Sequence, residues 1–259
     1  MNEIKIASPL FIVREDAAKD LFGTMDKIAQ AGFDGIELLG MFGKTAREIK
    51  RHADALGIAV IGDHVPLNDL LADGQVIDDR REMGCPYITV SWPSNEIGPA
   101  HAEFESVLAD INRASQKIIA AGMTPLFHNH AAEIADPYWI ARLLAACAPH
   151  GLRFEPDLGW MFIAGANPAD YLRDYADISP ALHFKDACPS ADANGVNGFT
   201  FRPTGYGAVN YPALMPLALA CKPEWIVADH DCAYTRDSYE ELALSLRYIR
   251  NLLRIHTGA

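Results

Sequence analysis

The stretch AGMTPLFH, residues 121–128, contains the signals whose repetition decides the fold. A helical pattern over residues 101–121 stops at Ala121-Gly122, a pair typical of a helix end. Residues 124–128 then predict a short strand, and a run of polar residues begins at its end, with His128. This stretch is therefore interpreted as one step of a helix and strand repeat, with polar side chains following the strand.

The same step recurs along the chain, with further helix stops at Gly32 and Gly57. We predict eight strands, at residues 4–8, 33–39, 58–61, 87–91, 124–128, 152–155, 181–184 and 225–228. Helices are predicted at residues 15–31, 45–56, 68–83, 101–121, 137–147, 168–176, 211–219 and 236–255, with a glycine-containing loop at 187–210. Such alternation implies parallel β-α-β crossovers, and eight units suit the length of a closed barrel. The predicted fold class is α/β, a single (β/α)8 TIM barrel domain over residues 1–259.

An open, doubly wound parallel sheet is the alternative fold. That fold usually carries a glycine-rich phosphate-binding loop after its first strand. In this chain the corresponding residues are Ala7-Ser8-Pro9-Leu10, which include no glycine. The sequence therefore favours the closed barrel, in which catalytic residues follow the carboxyl ends of the strands.

The composition narrows the classes of function. The chain has 22 Lys and Arg against 34 Asp and Glu, for a net charge of −12, and half of its residues are hydrophobic. Such a chain can bury a sizeable core, so it is not a disordered protein. Nucleic-acid binding would need a local basic patch, and no cluster of Lys and Arg of that kind occurs in the sequence. We expect no nucleic-acid partner.

The sequence also carries expectations about compartment. Residues 1–16 have acidic residues within a short apolar run, which fits neither a secretory signal nor a transit peptide, and no apolar stretch approaches a membrane span. The five cysteines are an odd number, widely spaced and without a CxxC pair. We expect a cytoplasmic protein with no membrane partner.

Acidic side chains and imidazoles concentrate at the predicted carboxyl ends of the strands, and five of the nine histidines lie there. The set, in chain order, is Glu37, Asp63, His64, Trp92, His128, Asn129, His130, Glu133, Asp157, Trp160, His183, Lys185, Asp186, Asp229, His230 and Asp231. In a barrel these side chains would line one mouth. The concentration predicts a polar site at that mouth.

A divalent cation site needs two or three carboxylates and a neutral imidazole, with positions left open for water or substrate. Glu133, Asp157, His183 and Asp229 follow the fifth to eighth strands, which neighbour one another in a barrel. This donor set suits one divalent ion, with Mn²⁺ the first expectation and Mg²⁺, Co²⁺ or Zn²⁺ as alternatives. A structural zinc site would instead prefer thiolates.

Four ordered motifs resemble the xylose isomerase-like TIM barrel superfamily, the sugar phosphate isomerase/epimerase family. Residues 128–133 match its H-N-H-x-x-E run, residues 157–168 are similar to its D-x-x-W…A-G-x-D-P segment, residues 183–186 match H-x-K-D, and residues 205–207 match its G-x-G loop. Asp229-His230-Asp231 stands where members carry E-x-D. Relatives include sugar and keto-sugar epimerases, hydroxypyruvate isomerase, inosose dehydratase, dehydroshikimate dehydratase, keto-glycoside lyases and endonuclease IV, so the resemblance implies no single reaction.

The resemblance implies a metal held by Glu133, Asp157, His183 and Asp229. Two departures leave alternatives open. Asp229 is one methylene shorter than the glutamate of many relatives, which could move the metal or insert a water. Counted from Gly122, the fifth-strand ligand of several relatives aligns with His128, so His128 could bind the metal while Glu133 binds substrate.

Further roles follow from the chemistry of the strand-end residues and, for Glu37 and His64, from the resemblance. His130, Glu133 and Lys185 are the predicted catalytic residues, with His130 as a proton-transfer group. The predicted substrate-binding residues are Glu37, His64, Trp92, His128, Trp160 and Asp231. The plainer alternatives are that Lys185 pairs with Asp186 and that the two tryptophans are ordinary packing residues.

The predicted function is that of a metal-dependent sugar, keto-sugar or sugar phosphate isomerase or epimerase working through an enediolate. A dehydratase or lyase acting on a keto-polyol or keto-glycoside is the alternative enzyme, because loss of a β-oxygen starts from the same enediolate. A sugar-binding barrel without catalysis is the alternative outside enzymes, and an endonuclease IV-like activity is disfavoured by the acidic charge. The aromatic residues at 187–212 could cover the site or meet a partner chain, so a homo-oligomer stays open.

Overall fold

A closed parallel barrel forms the centre of the molecule in the computed structural model, which describes residues 3–72, 74–94, 96–192, 194–234 and 236–258. Its strands are β1 Lys5–Pro9, β2 Gly35–Leu38, β3 Ala59–Pro66, β4 Tyr87–Ser91, β5 Thr124–His128, β6 Arg153–Glu155, β7 Ala181–His183 and β10 Trp225–Val227. The order is β6-β5-β4-β3-β2-β1-β10-β7, all parallel. A bridge between Asp157 and His183 joins the two ends. The predicted TIM barrel is confirmed.

Twelve helices surround the barrel among the described residues. They are α1 Arg14–Lys19, α2 Leu21–Ala31, α3 Ala46–Leu56, α4 Leu67–Ala72, α5 Gln75–Met83, α6 Phe104–Ala120, α7 Ala131–Ala135, α8 Pro137–Cys147, α9 Leu158–Ile163, α10 Pro168–Asp174, α11 Tyr211–Ala220 and α12 Ser238–Thr257. Gly32 and Gly57 end α2 and α3 in the left-handed region, with φ of 99° and 71°. Glycine adopts this conformation without strain, which explains why both residues stop helices.

Two predicted helices are each interrupted. The helix expected at residues 15–31 breaks at Asp20, whose backbone is extended and whose carboxylate accepts the Gly23 N–H, so that α2 begins anew. The helix expected at 68–83 is two helices, α4 and α5. The third strand is longer than predicted and extends to Pro66, which places His64 within the strand.

The core has two layers. Inside the barrel, a cluster of buried side chains comprises Ala7, Ile61, Tyr87, Leu126, Ala181, Trp225 and Val227. A larger cluster lies between the strands and the helices. Residues alternate between these layers because successive side chains of a strand point to opposite faces. The apolar interior leaves polar side chains at the carboxyl ends of the strands.

The segment predicted as a loop at 187–210 contains an antiparallel hairpin, formed by β8 Asp186–Pro189 and β9 Phe199–Arg202. The Asp186 carboxylate accepts four backbone N–H groups, from Ala187, Gly205, Gly207 and Val209. Phe201 of the hairpin packs edge-on against Trp160, with ring centroids 5.4 Å apart. The hairpin is thereby fixed beside the carboxyl mouth of the barrel.

Two cavities open at the opposite, amino-terminal mouth. One, of about 900 Å³, is lined by residues that include Asp34, Glu224 and Arg250. The other, of about 430 Å³, is lined by residues that include Tyr87, Arg153 and Glu224. Catalytic groups of TIM barrels follow the carboxyl ends of the strands, so these cavities do not mark the predicted site.

No helix in the described ranges combines the length and apolar character needed to cross a membrane. All five cysteines are free thiols, and Cys85, Cys147 and Cys221 are buried.

Candidate active site

Most of the predicted site residues meet at the carboxyl mouth of the barrel. The structure brings together Glu37, His64, His128, Asp157, His183, Lys185, Asp229 and Asp231, and it adds Glu155, which the sequence analysis did not select. All of them except His64 and Asp231 are buried. The site is therefore a cluster of charged and imidazole side chains shielded from water.

Three imidazoles form one side of this cluster. The rings of His128 and His183 have centroids 4.4 Å apart, those of His64 and His128 5.1 Å, and those of His64 and His183 6.0 Å. Each ring has one buried nitrogen without a hydrogen-bond partner among the described residues: Nε2 of His64, Nδ1 of His128 and Nε2 of His183. Buried polar atoms are nearly always hydrogen-bonded, so these nitrogens indicate a missing partner.

Two glutamates face these imidazoles. Glu37 Oε2 lies 3.2 Å from His64 Nε2 and 3.4 Å from His183 Nε2. Glu155 Oε1 lies 3.5 Å from His183 Nε2, and its Oε2 lies 3.9 Å from His64 Nε2. The second oxygen of Glu155 also accepts a hydrogen bond of 2.9 Å from the Thr89 hydroxyl. We refer to Glu37, His64, His128, Glu155 and His183 as the histidine side of the site.

Lys185 is the centre of the other side. Its ammonium lies 3.2 Å from Asp157 Oδ2, 3.0 Å from Asp229 Oδ2 and 2.7 Å from Asp231 Oδ1. It also lies 4.8 Å from the Trp160 ring centroid. A buried ammonium requires such compensation, because burial without a partner is costly. We refer to Lys185 and these three aspartates as the lysine side.

The H-N-H run and the D-x-x-W segment hold each other in place. Asn129 Oδ1 accepts the Asp157 N–H at 2.9 Å, and its amide nitrogen donates to the Asp157 carbonyl. The Asp157 carboxylate in turn caps α9 by accepting the Trp160 N–H at 2.8 Å. A side-chain carbon at Gly159 would lie 2.3 Å from the Lys185 carbonyl oxygen. Only glycine permits this approach, which brings α9 against the strand end that carries Lys185.

Charge on the histidine side shifts three pKa values. Burial alone would raise the pKa of Glu37, but the adjacent imidazoles of His64 and His183 outweigh it and lower the pKa to about 2. Burial opposes protonation of His183, yet the charges of Glu37 and Glu155 prevail and raise its pKa well above the usual value. Burial and repulsion from the other imidazoles lower the pKa of His128 well below the usual value. His128 is thus a neutral imidazole at neutral pH, the form that binds metals.

The lysine side is polarised in the same way. Burial would raise the pKa of Asp229, but Lys185 and His183 lower it well below its usual range. Burial disfavours the charged form of Lys185, and the three aspartates overcome this and raise its pKa. Lys185 is therefore a permanent cation within the site. It does not pair with Asp186, the partner considered in the sequence analysis, because Asp186 binds the hairpin backbone.

Glu133 and His130 lie beside the cluster in different environments. Glu133 is buried in the first turn of α7, where its Oε2 accepts the His130 N–H at 2.9 Å. Burial raises the pKa of this carboxyl group. His130 is exposed, and its ring lies 5.0 Å from that of His128 and 5.8 Å from that of Trp160. Glu133 thus fixes the backbone at His130, whose ring reaches the open mouth.

The two predicted wall tryptophans differ. Trp160 is buried between His130, Lys185 and Phe201, with its indole N–H unpartnered among the described residues. Trp92 instead packs in an aromatic cluster with Phe104, Phe127 and Trp139, and it donates to the Ile97 carbonyl. The structure therefore brings Trp160 into the site, whereas Trp92 lies in an aromatic packing cluster.

Two other strand-end residues are engaged in structural pairs. Asp63 accepts two hydrogen bonds from the Arg80 guanidinium and one from the Gly40 N–H. His230 Nε2 lies 2.8 Å from Glu241 Oε2 of α12. Both residues belong to the strand-end set of the sequence analysis, in which neither has a predicted catalytic, substrate-binding or metal-binding role.

Glu155 is the functional candidate that sequence reasoning missed. It is the last residue of β6, and Asp157 follows two positions later. Because side chains alternate along an extended chain, residues two apart share a face. The spacing of Glu155 and Asp157 in the sequence could therefore have predicted that both carboxylates point into the mouth.

Two overlapping groups of side chains could hold a metal ion in the described part of the chain. One is His64, His128, Glu155 and His183, and the other is His128, Asp157, His183 and Asp229. The ligand atoms of each group lie within 4.8 Å of one another. Glu133 belongs to neither group, whereas His128, the open alternative for the fifth strand, belongs to both. The unpartnered imidazole nitrogens fit a bound divalent cation, because imidazole and carboxylate are its usual ligands.

Solved structures of low sequence identity share this fold. An L-ribulose 3-epimerase is 16% identical with a TM-score of 0.75, covering 98% of this chain and 95% of its own. A probable 3-DHS dehydratase from Bacillus anthracis is 16% identical, with a TM-score of 0.70 and coverages of 96% and 99%. A barrel protein from Mycobacterium smegmatis in complex with magnesium is 16% identical, with a TM-score of 0.72 and coverages of 96% and 96%. At these identities the likeness shows the fold alone.

Sequence comparison gives the family. No curated protein matches the chain significantly. The family model described as "Xylose isomerase-like TIM barrel" matches residues 25–252, which include every strand of the barrel except β1. Three of the four motifs that suggested this resemblance, at residues 128–133, 157–168 and 183–186, lie at the strand ends where the charged cluster is built. The chain belongs to the xylose isomerase-like TIM barrel family.

Proposed function

We propose that this protein is a metal-dependent isomerase or epimerase of a small sugar, keto-sugar or sugar phosphate. The observation that carries the proposal is the set of three unpartnered imidazole nitrogens at the carboxyl mouth of the barrel, two of which, Nε2 of His64 and Nε2 of His183, face carboxylates. Membership of the family supports it. So does the L-ribulose 3-epimerase of similar fold.

His128 and His183, which are common to both candidate ligand groups, would hold the metal together with nearby carboxylates. When bound, a divalent cation supplies a Lewis acid that polarises a substrate carbonyl and makes the neighbouring C–H bond more acidic. Burial of the donor set strengthens such electrostatic interactions, because little water screens them.

His130 is the proposed proton-transfer residue. Its ring is exposed at the mouth and adjoins those of His128 and Trp160, so it can meet a substrate bound over the cluster. A neutral imidazole there would take the proton from the carbon next to the carbonyl. Return of the proton to the other carbon of the enediolate gives isomerisation, and return to the opposite face gives epimerisation.

Other side chains position the reacting groups. Glu133 holds the His130 backbone through its hydrogen bond of 2.9 Å. Lys185 is held by three aspartates and supplies a fixed positive charge beneath the Trp160 ring. Trp160 and Phe201 form an apolar wall on which the C–H face of a sugar would pack.

A dehydratase or lyase reaction is the second candidate. The fold is similar to that of the probable 3-DHS dehydratase from Bacillus anthracis. Elimination of a β-oxygen begins with the same proton abstraction, so His130 would have the same first role. The two reactions differ in their products, which separates them experimentally.

The test has two stages. Protein purified without chelators is analysed for metal content, and one equivalent of a divalent ion per chain is expected. A panel of keto-sugars, sugar phosphates, inososes and 3-keto-glycosides is then incubated with the protein in deuterium oxide. Incorporation of deuterium next to a carbonyl with retained mass of the carbon skeleton supports isomerase or epimerase chemistry, whereas loss of water or an aglycone supports the second candidate. Binding of a sugar with neither exchange nor elimination would indicate a non-catalytic barrel.

A further inference from the structure

We propose that Glu241 and His230 are positioning residues of the active site, and that their buried contact fixes the orientation of Asp229 and Asp231 about Lys185. The inference rests on the function proposed above, because Asp229 belongs to one of the two candidate ligand groups and neither Glu241 nor His230 belongs to either. Glu241 lies on α12, outside the barrel, so it would act on the site only through His230.

The segment Asp229-His230-Asp231, called the 229–231 segment below, follows the last strand of the barrel. The backbone N–H of Ala228 donates to the Ala7 carbonyl at 2.9 Å. Beyond that bond, the backbone of the 229–231 segment makes no hydrogen bond to other backbone groups within the described ranges. Side chains therefore hold this segment in place.

The side chains of the segment point in two directions. Asp229 and Asp231 both contact the Lys185 ammonium, at 3.0 and 2.7 Å. His230, between them, points away from the site and places its Nε2 2.8 Å from Glu241 Oε2. The His230 and Glu241 side chains are only 1% and 4% exposed, and neither of these atoms has another partner in the described part of the chain. The contact with Glu241 is thus the polar restraint that fixes the His230 ring.

This restraint reaches Asp229 through the backbone. The His230 N–H donates to Asp229 Oδ1 at 2.6 Å. The other oxygen of this carboxylate, Oδ2, lies 2.9 Å from His183 Nδ1 and 3.0 Å from the Lys185 ammonium. A displacement of the His230 backbone would therefore rotate the carboxylate relative to both groups. Catalytic and metal-binding groups must be held within about 0.5 Å of their working positions.

The buried face of α12 gives this restraint a rigid support. Glu241 and Ser245 lie one turn apart on that face, whose other buried side chains are aliphatic. The Ser245 hydroxyl accepts the Thr204 N–H at 2.9 Å, so the same face also holds the chain that follows the hairpin. Burial of polar groups costs free energy that aliphatic side chains would not, which favours a positioning role over packing alone.

The first test is Glu241→Gln, which keeps the shape of the side chain and removes its charge. Mn²⁺ affinity, measured by titration calorimetry on protein stripped of metal, should fall about tenfold, as it does when an outer partner of a metal ligand is lost. Glu240→Gln, the same change at the exposed neighbouring position, is the control and should bind Mn²⁺ as the wild type does. A lower unfolding free energy in urea with unchanged Mn²⁺ affinity would show that the pair is only structural and would overturn the proposal.

A double-mutant cycle tests the pairing itself. Because Glu241 and His230 act through one contact, the double variant Glu241→Gln, His230→Gln should bind Mn²⁺ about as weakly as either single variant. Losses of affinity that multiply in the double variant would mean that the two residues act independently, against the proposal.

A third measurement needs no metal. Hydrogen exchange, followed by mass spectrometry, should be about tenfold faster for the backbone amides of the 229–231 segment in Glu241→Gln or in His230→Gln than in the wild type, with no change in Glu240→Gln. Wild-type exchange rates in both variants would refute the positioning role. Wild-type protein that binds no Mn²⁺, Co²⁺ or Zn²⁺ would contradict the proposed function, and the exchange rates would still decide the positioning role, so the two failures are distinguishable.

Discussion

The two mouths of the barrel differ in what they leave unfilled. The amino-terminal mouth has cavities of about 900 and 430 Å³, yet polar groups there are paired, as where the Tyr87 hydroxyl donates to Glu224 at 2.8 Å. The carboxyl mouth is densely filled with side chains but has buried nitrogens without partners on three histidines. Cavity volume alone is therefore a poor guide to the functional site of this barrel. Buried polar atoms without hydrogen-bond partners are a better guide.

The largest effect should come from His183→Ala at the carboxyl mouth. It removes an imidazole common to both candidate ligand groups, and loss of about 4 kcal/mol of transition-state stabilisation would slow catalysis about a thousandfold. Metal content and deuterium exchange are the measurements. His150→Ala, an exposed residue just before β6, is the matched control and should change neither. Full metal content in His183→Ala would contradict the proposal that the carboxyl mouth, with its unpartnered imidazoles, holds the metal.

His130→Gln should have the next largest effect. The loss of a proton-transfer group typically costs about 100-fold or more in rate. Metal content should stay unchanged, because His130 lies in neither ligand group. Exchange at the wild-type rate would exclude His130 as the base and turn attention to a carboxylate of the cluster.

Gly159→Ala tests how tightly the carboxyl mouth is packed. The added carbon would lie 2.3 Å from the Lys185 carbonyl oxygen, and such overpacking should lower the free energy of unfolding by about 2 kcal/mol. Urea denaturation measures this change. Gly74→Ala is the matched control: its φ of −68° suits alanine and its added carbon meets nothing within 4 Å. Equal stability of the two variants would show that the mouth can relax.

Tyr87→Phe should have the smallest effect, at the amino-terminal mouth. It removes the hydrogen bond to Glu224, which is exposed and can bind water instead. We expect a loss of about 1 kcal/mol in unfolding free energy and unchanged exchange activity. A large loss of activity here would show that the two mouths are coupled.

Much of the fold was readable because strand and helix periods and glycine stops are local signals. Residues 124–128 and 87–91 are strands with the predicted bounds. The hairpin around Asp186 was not predicted, because four backbone N–H groups separated in sequence converge on its carboxylate. Such convergence depends on tertiary structure. The interruption at Asp20 depends on a local cap that a long helical period conceals.

The sequence predicts which strand ends carry the candidate site, but not how their side chains pair. The resemblance indicated His183 and the aspartates, but it could not show that Lys185 would be enclosed by three of the aspartates. Nor did the motif indicate that the Glu133 carboxylate would accept the backbone N–H of His130 at the start of α7. Side-chain orientation around the closed barrel decides the first, and it emerges only when all the strands are in register. The second is a local capping contact between residues three apart, which competes with the role that the motif assigns to Glu133.

The four consecutive residues of the segment His183-Phe184-Lys185-Asp186 each have a different role. In order, they are an imidazole of the cluster, a core ring, the charge held by the aspartates and the carboxylate that fastens the hairpin. A substitution at one of these positions is therefore expected to displace neighbouring residues and to disturb their roles as well. Adaptation of this barrel to a new substrate is therefore expected to spare this segment and to proceed through the hairpin and the exposed mouth around His130, where changes have separable effects.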